Sequence, residues 1–435
     1  MPFDILDTMR VLAIVLAGGS GTRIEPLVRR RAKAAIPFGA THRLIDVPLS
    51  NLLNSWIRHI YVIAQRLPHS LIQHLEGFQR AGVATMMDEF IRVLTPPHEC
   101  SPFISDGDSL CHLRMVWQRK TYEYVLIIMA DQVVKIDYRQ VLQHLMQSKN
   151  AEAAIVYRKT PLAQAKGKLG VFDRSLDGRP VGFTEKPDKP NPSVDDSDNC
   201  DGNTAMTLLR YETFMDLLSY LESLNGGNKR FLSPSAIPWL IKRGKTVLYN
   251  LESNVVPGVL EAERAFFADV GDLDDWYNIQ IAMCQRGAIF NPFSRDWTIY
   301  TAPIWPLNAA KVDHVGEMDQ VLLGWNVIVQ DNAMIRNSVL SSSVCVGHDS
   351  RLRQAVLLDG VQVGPGCRLN NVVLDKDIIV PEGTTLSPDN PPDIVINFSD
   401  LYAMVTDDQV VPDNLCVRSE GGILFFAKGY QFPGQ

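Results

Sequence analysis

Between positions 18 and 33 the chain sets three glycines, Gly18, Gly19 and Gly21, ahead of Thr22, Arg23, Arg29, Arg30, Arg31 and Lys33. Glycines let a backbone approach a ligand closely and adopt positive φ, because no Cβ intervenes. Amides in such a loop converge on phosphate oxygens, and the cations that follow bring charge. The combination suits a polyphosphate, although the loop alone reads equally as a strand-to-helix turn with solvated arginines. Two commoner phosphate loops are excluded: the Gly-Lys-Ser/Thr triplet is missing here, and Ile24 stands where a dinucleotide fingerprint needs its third glycine. A second candidate is Asp131, which follows the apolar run 124–129. Carboxyl ends of parallel strands are where α/β sheets place ligands, and carboxylates hold divalent cations.

The elements that must position these residues are readable in outline. Residues 11–16 form an apolar run, long enough for a buried strand and far too short for a membrane span. An amphipathic helix over 49–57, a strand over 59–64 and the strand over 124–129 predict right-handed βαβ units and a parallel sheet. Further expectations are a helix over 138–146, a strand near 153–157, a turn at 175–178, a strand over 181–184, and helices over 211–224, 234–242 and 272–283. The stretch 187–202, rich in Pro, Asp, Asn and Ser, reads as a mobile loop.

Beyond residue 326 the pattern changes to a period of 17. Val329, Val346, Val363 and Val380 share one phase; Ile335, Leu352, Leu369 and Leu386 share another. Leu340, Leu357 and Leu374, and then Val344, Val361 and Ile378, fill two more. Six-residue steps of this kind build a left-handed parallel β-helix, but three of them would make 18, so each coil is one residue short. The expected domains are therefore 1–290, a proline-rich linker over 291–325, and a β-helix over 326–435.

Composition narrows the class. A net charge of −7 over 435 residues gives no reason to expect nucleic acid or an anionic membrane as partner. Seven cysteines without a C-x-x-C pair suggest reduced thiols in a cytoplasmic protein without zinc. The N-terminal ten residues lack the apolar core of a signal peptide.

Leu16-Ala17-Gly18-Gly19-Ser20-Gly21-Thr22-Arg23-Ile24, with Lys33 downstream, resembles the signature of sugar-phosphate nucleotidyltransferases. The run from Arg31 to Gly39, then Arg43-Leu44-Ile45-Asp46 and Leu49-Ser50-Asn51, narrows the resemblance to glucose-1-phosphate adenylyltransferases. That resemblance implies an α/β fold, a Rossmann-like (GT-A-like) mixed sheet followed by a left-handed parallel β-helix. It also implies transfer of AMP from ATP to α-D-glucose 1-phosphate, giving ADP-glucose and pyrophosphate for glycogen or starch synthesis. Mg²⁺ is the implied cofactor, and a homotetramer or a hetero-oligomer with an intact homologue the implied assembly. On the same ground Arg23 and Lys33 would hold pyrophosphate oxygens, and Asp131 and Asp269 the metal. Gly18, Gly19, Gly21, Thr22, Gln65 and Gly107 would face the nucleotide. Lys186 would bind the sugar phosphate, Glu185 a sugar hydroxyl, and Gly170 and Asn203 the sugar.

Departures from the family pattern carry their own expectation. A stretch that reads Gly-Thr-Ala-Asp-Ala in the family, and packs on the base, corresponds to Ser105-Asp106-Gly107-Asp108-Ser109. The sugar-contacting Ser-x-Gly-Ile-Tyr corresponds to Asn203-Thr204-Ala205-Met206-Thr207. Carboxylates at 106 and 108 beside a triphosphate predict weak ATP binding and slow turnover. The alternative function is a non-catalytic regulatory subunit. An acyltransferase is disfavoured, since His348 is the only histidine on the coils.

Overall fold

The computed structural model describes residues 8, 10–19, 21–80, 89–96, 103–117, 122–226, 229–264, 266–303, 307–407 and 409–433. Ser20 of the glycine loop, Cys100, most of the N-terminal ten residues and Pro306 of the linker lie outside these.

The N-terminal domain is built on nine strands: β1 (Val11–Ala17), β2 (His59–Ala64), β3 (Phe90–Leu94), β4 (Tyr124–Met129), β5 (Ala153–Pro161), β6 (Val171–Arg174), β7 (Pro180–Thr184), β8 (Asn199–Arg210) and β9 (Thr246–Asn250). The main order is β7-β6-β8-β4-β1-β2-β3, with β5 joining β8 to β9. Strands β4, β1, β2 and β3 run parallel, whereas β8 lies antiparallel to β4, β5 and β6. The sheet is therefore mixed, as the resemblance implied.

Strand β1 explains why its sequence is apolar throughout. Val11, Ala13 and Val15 point into the core on one face, and Leu12, Ile14 and Leu16 into the core on the other. A parallel strand covered on both faces needs no polar alternation. Its register sets Ala17 beside Ala64, and Leu16 beside Met129. The residues just past these ends, Gly18, Gln65 and Ala130-Asp131, are thereby brought to one edge.

Two expectations need correction. The helix expected over 49–57 is Asp46–Asn54, and eight of its nine residues are buried rather than one face. Its buried polar side chains have partners: Asp46 takes His74, Ser50 accepts from the Tyr300 amide, and Asn51 donates to the Val134 carbonyl and accepts from Trp297 Nε1, while the half-buried Asn54 donates to the Thr298 carbonyl. The stretch read as a mobile loop is fastened. Strand β8 already begins at Asn199. Arg174 binds Asp195 at 2.8 Å and Asp201 at 2.6 Å, Lys159 lies 3.0 Å from Asp201, and Ser193 donates to Asp201 at 2.9 Å.

The C-terminal domain is the expected left-handed parallel β-helix, and its corners account for the short period. Residues in the left-handed region recur at Asn326, Ser343, Gly360 and Asp377, again at Asn332, Asp349, Gly366 and Gly383, and again at Gln320, Asn337, Gln354 and Asn371. Within one coil the corners at 326, 332, 337 and 343 are separated by six, five and six residues. One face is thus a residue shorter than the others. Asn, Asp and Gly occupy most corners because they tolerate positive φ best. The parallel ladder begins earlier than the repeat was read: Lys311–Val312 and Glu317–Leu323, inside the stretch taken as linker, pair with the next coil. It also ends earlier. After Leu386 the chain leaves the repeat for a helix, Phe398–Thr406, and the strands Cys416–Arg418 and Leu424–Phe426, the last of which pairs with Arg368–Leu374.

One apolar cluster crosses between the domains. Val339, Val356 and Val373, on the outside of successive coils, pack with Trp276, Ile281, Leu27 and Phe425. Here the three arginines find their place, and it is not the polyphosphate suggested by their spacing. Arg29 donates to the Val411 and Pro412 carbonyls at 2.8 and 2.9 Å, and Arg30 lies against Gly429. Arg31 pairs with Asp375 at 2.8 Å, both side chains nearly buried. Arg43 and Lys376 share Asp359 at 3.0 and 2.6 Å, and burial, then the charge of Arg43, pushes Lys376 down to about 8. Removing one partner of a buried pair strands the other charge. Arg31→Met should therefore lower stability by about 3 kcal/mol, read as a shift in denaturant midpoint. Arg31→Met with Asp375→Leu should recover most of the loss.

Among the described residues, no helix is long and apolar enough to cross a membrane.

Candidate active site

The carboxyl ends of β1, β2 and β4 open onto three adjoining cavities. The first, about 580 Å³, is lined by Gly18, Gly19, Gln65, Phe103, Ser105, Asp106 and Phe231, among others. The second, about 460 Å³, contains Asp131, Gly170, Glu185, Lys186, Asn203 and Asp269, and shares Asp106 and Phe231 with the first. The third, about 650 Å³, shares Lys168, Lys186 and Asp269 with the second and adds Arg23 and Arg158.

The backbone of the glycine loop leaves little room for side chains at two of its three glycines. Gly21 is held at φ 69°, and a Cβ there would come within 3.1 Å of Val28. A Cβ at Gly18 would come within 3.2 Å of the Gln65 amide oxygen. Gln65 is anchored by its own donation to the Phe103 carbonyl. Thr22 and Arg23 follow in a short 3₁₀ turn, Thr22–Ile24.

Asp131 and Asp269 are brought together by a two-stranded ladder in which Asp269 pairs with Gln132, and the Val270 amide donates to the Asp131 carbonyl at 3.2 Å. Lys33 Nζ lies 2.7 Å from Asp131 Oδ2. Asp269 opens to the cleft, yet the protein around it desolvates it. That desolvation, and then the Asp131 charge, pushes its carboxyl up to about 6, while Lys33 and Arg23 pull the other way. Two oxygen donors that repel each other in this way fit a hard divalent cation, with phosphate oxygens and waters completing its shell. Mg²⁺ suits this donor set.

Gly170, Glu185, Lys186 and Asn203 line the same cavity. A Cβ on Gly170 would fall 2.3 Å from the Phe183 ring and 2.8 Å from Glu185 Oε2, so the glycine is needed for packing against these side chains. Glu185 Oε2 is buried without a partner among the described residues, and desolvation raises its pKa against the pull of Lys186. Lys186 sits at φ 47°, an unusual conformation for lysine. Asn203 is buried, donates to Ser233 at 3.1 Å and accepts from the Ala205 amide at 3.0 Å. Ala205, where the family has glycine, keeps φ 56°.

Residues 105–109 do not behave as the sequence suggested. They open a helix, Asp106–His112, with Ser105 as its N-cap accepting from the Asp108 amide at 3.1 Å. Asp108 is buried, accepts from the Ile104 amide at 3.1 Å and pairs with Arg230 at 3.0 Å, so its charge is neutralised away from the cavities. Gly107 is also not at a ligand surface: a Cβ there would fall 2.2 Å from the Arg230 carbonyl oxygen. Its glycine admits the 230 segment rather than a nucleotide. Of the two acids Asp106 alone lines the cavities, with Ser105 and Ser109 beside it in the first. Its Oδ1 accepts from the Gly107 and Leu232 amides at 2.7 and 3.1 Å, and desolvation raises its pKa.

A nucleotidyl transferase model matches residues 12–286, and a GlmU-like C-terminal hexapeptide model matches residues 307–399. A glucose-1-phosphate adenylyltransferase of Rhodococcus opacus (strain B4) is 32% identical over 340 residues, 77% of this chain and 82% of that protein. The chain belongs to the glucose-1-phosphate adenylyltransferase family. The enzyme of that name from Parafrankia sp. (strain EAN1pec) is similar over a longer span, 30% identical over 406 residues, 91% of this chain and 97% of its own. Sequence reasoning missed Arg158, Lys168, Arg230 and Phe231. Lys168 lies two residues before Gly170 and was legible there; Arg230 and Phe231 lie in no motif.

Proposed function

We propose that this chain transfers AMP from ATP to α-D-glucose 1-phosphate, releasing pyrophosphate and forming ADP-glucose. The observation that carries this reading is the convergence of Asp131, Asp269, Lys33 and Lys186 beside the glycine-loop cavity. A sugar-phosphate oxygen attacks the α-phosphorus; a new P–O bond forms there, and the bond to the bridging oxygen of the β-phosphate breaks. Both reactants are anions, so catalysis consists of aligning them and stabilising the charge that shifts to the leaving group.

Each part has residues for its task. Gly18, Gly19 and Gln65 receive the nucleotide, with Phe231 offering an aromatic edge between the two cavities. Arg23 and Lys33 hold the leaving pyrophosphate. Lys186 holds the sugar phosphate, and the buried, unpartnered Glu185 oxygen accepts from a sugar hydroxyl. Asp131 and Asp269 would hold Mg²⁺, which when bound screens phosphate charge and acts as a Lewis acid. A cytoplasmic setting and an oligomer, either a homotetramer or a pairing with an intact homologue, belong to the same reading. The regulatory-subunit alternative drew on the changes over residues 103–109, among them two acids beside the base. Pairing of Asp108 with Arg230 leaves only Asp106 in that position, which weakens the alternative.

Lys186→Ala should raise KM for glucose 1-phosphate by about 30-fold, since a hydrogen bond to a charged group contributes about 1.5–3 kcal/mol. KM for ATP should change little. Steady-state kinetics with each substrate varied in turn decides this. A rise in KM for ATP instead would reassign Lys186 to the triphosphate.

A further inference from the structure

We propose that Lys168 is a second cation for the phosphate of the sugar substrate, opposite Lys186, and a determinant of its selection. The proposal rests on the function read above and deepens it.

Lys168 lines both the second and third cavities, as Lys186 does. Their closeness is built into the backbone. The Gly167 amide donates to the Pro187 carbonyl at 3.0 Å, tying the 166–169 turn to the Glu185-Lys186-Pro187 turn. Gly167 makes this possible at φ 64°, and the Lys168 amide closes the turn on Ala165 at 3.0 Å. Gly170 then packs its backbone directly on Glu185. Two lysines are thus carried by two turns that hold each other.

The ammonium of Lys168 is not committed elsewhere. It makes no ion pair among the described residues, and its charge is felt at Asp275 only through the Coulombic field. Exposed lysines are usually just solvated. This one differs in lining two cavities on a turn that is already ordered, so little loop entropy opposes contact with a bound anion. Its neighbour Lys166 is equally exposed and lines neither cavity.

The test is kinetic, on the full-length chain. Lys168→Ala should raise KM for glucose 1-phosphate about tenfold, with kcat and KM for ATP changed less than twofold. Lys168→Arg should recover most of the loss, and Lys166→Ala should match the parent. An unchanged KM for the sugar phosphate in Lys168→Ala, or a rise in KM for ATP instead, overturns the role. If the parent chain turns over no glucose 1-phosphate, the functional reading fails instead. Calorimetric titration of glucose 1-phosphate into parent and Lys168→Ala proteins then decides Lys168 independently: weaker binding to the variant supports the role, and equal or absent binding overturns it.

Discussion

Asp131→Asn should lower kcat for pyrophosphate release by about a thousandfold while changing KM for ATP only a few-fold. The substitution keeps the shape of the side chain and removes its charge. Asp131 sits with Asp269 at the edge where β1 and β4 end, and Lys33 is 2.7 Å away. A carboxylate that holds a divalent cation acts most strongly when charge develops on the leaving group, so the loss falls on the transition state. About 4 kcal/mol of such stabilisation corresponds to about three decades of rate. Asp269→Asn should behave similarly, and the double variant should cost little more than either alone, because the two act as a unit. Steady-state kinetics at saturating Mg²⁺ checks the split between kcat and KM. Equal loss through KM alone would place Asp131 in ground-state binding.

Leu352→Asp should unfold the C-terminal domain or destabilise it by about 5 kcal/mol or more. Leu352 is 2% exposed and stacks between Ile335 and Leu369 in the column that runs through the coils. Deleting a buried leucine costs about 2–5 kcal/mol, and an unpaired carboxylate in its place adds the cost of desolvation. Because Val339, Val356 and Val373 continue into the cluster around Trp276, the loss should reach the N-terminal domain as well. Circular dichroism with denaturant measures it. A Leu352→Asp protein as stable as the parent would contradict the column.

What was legible in the sequence was what short-range patterns specify. The apolar runs of β1, β2 and β4 dictated buried strands. The period of 17 named the β-helix, although not the five-residue face that causes it. The glycine loop and Asp131 lie at strand ends, as the sequence order predicted, and Gln65 and Lys186 line the cavities beside them. What failed depended on partners far along the chain. Arg31 and Asp375 are 344 residues apart, and Asp108 and Arg230 are 122 apart. No local pattern distinguishes an arginine that will meet a phosphate from one that will meet a coil of another domain. The acidity of 105–109 misled for the same reason: Asp108 has a counter-charge that only the fold supplies, and Gly107 makes room for backbone rather than ligand. The helix Asp46–Asn54 misled because Asp46, Ser50 and Asn51 are buried with partners from three other segments.

On this reading the three cavities together carry out nucleotidyl transfer from ATP to glucose 1-phosphate. Pyrophosphate release by the purified full-length chain tests it most directly. The expected result is release that requires ATP, glucose 1-phosphate and Mg²⁺ together, that yields ADP-glucose in equal amount, and that falls about a thousandfold in Asp131→Asn. A folded chain that releases no pyrophosphate under these conditions, or releases it equally well as the Asp131→Asn variant, would contradict the claim.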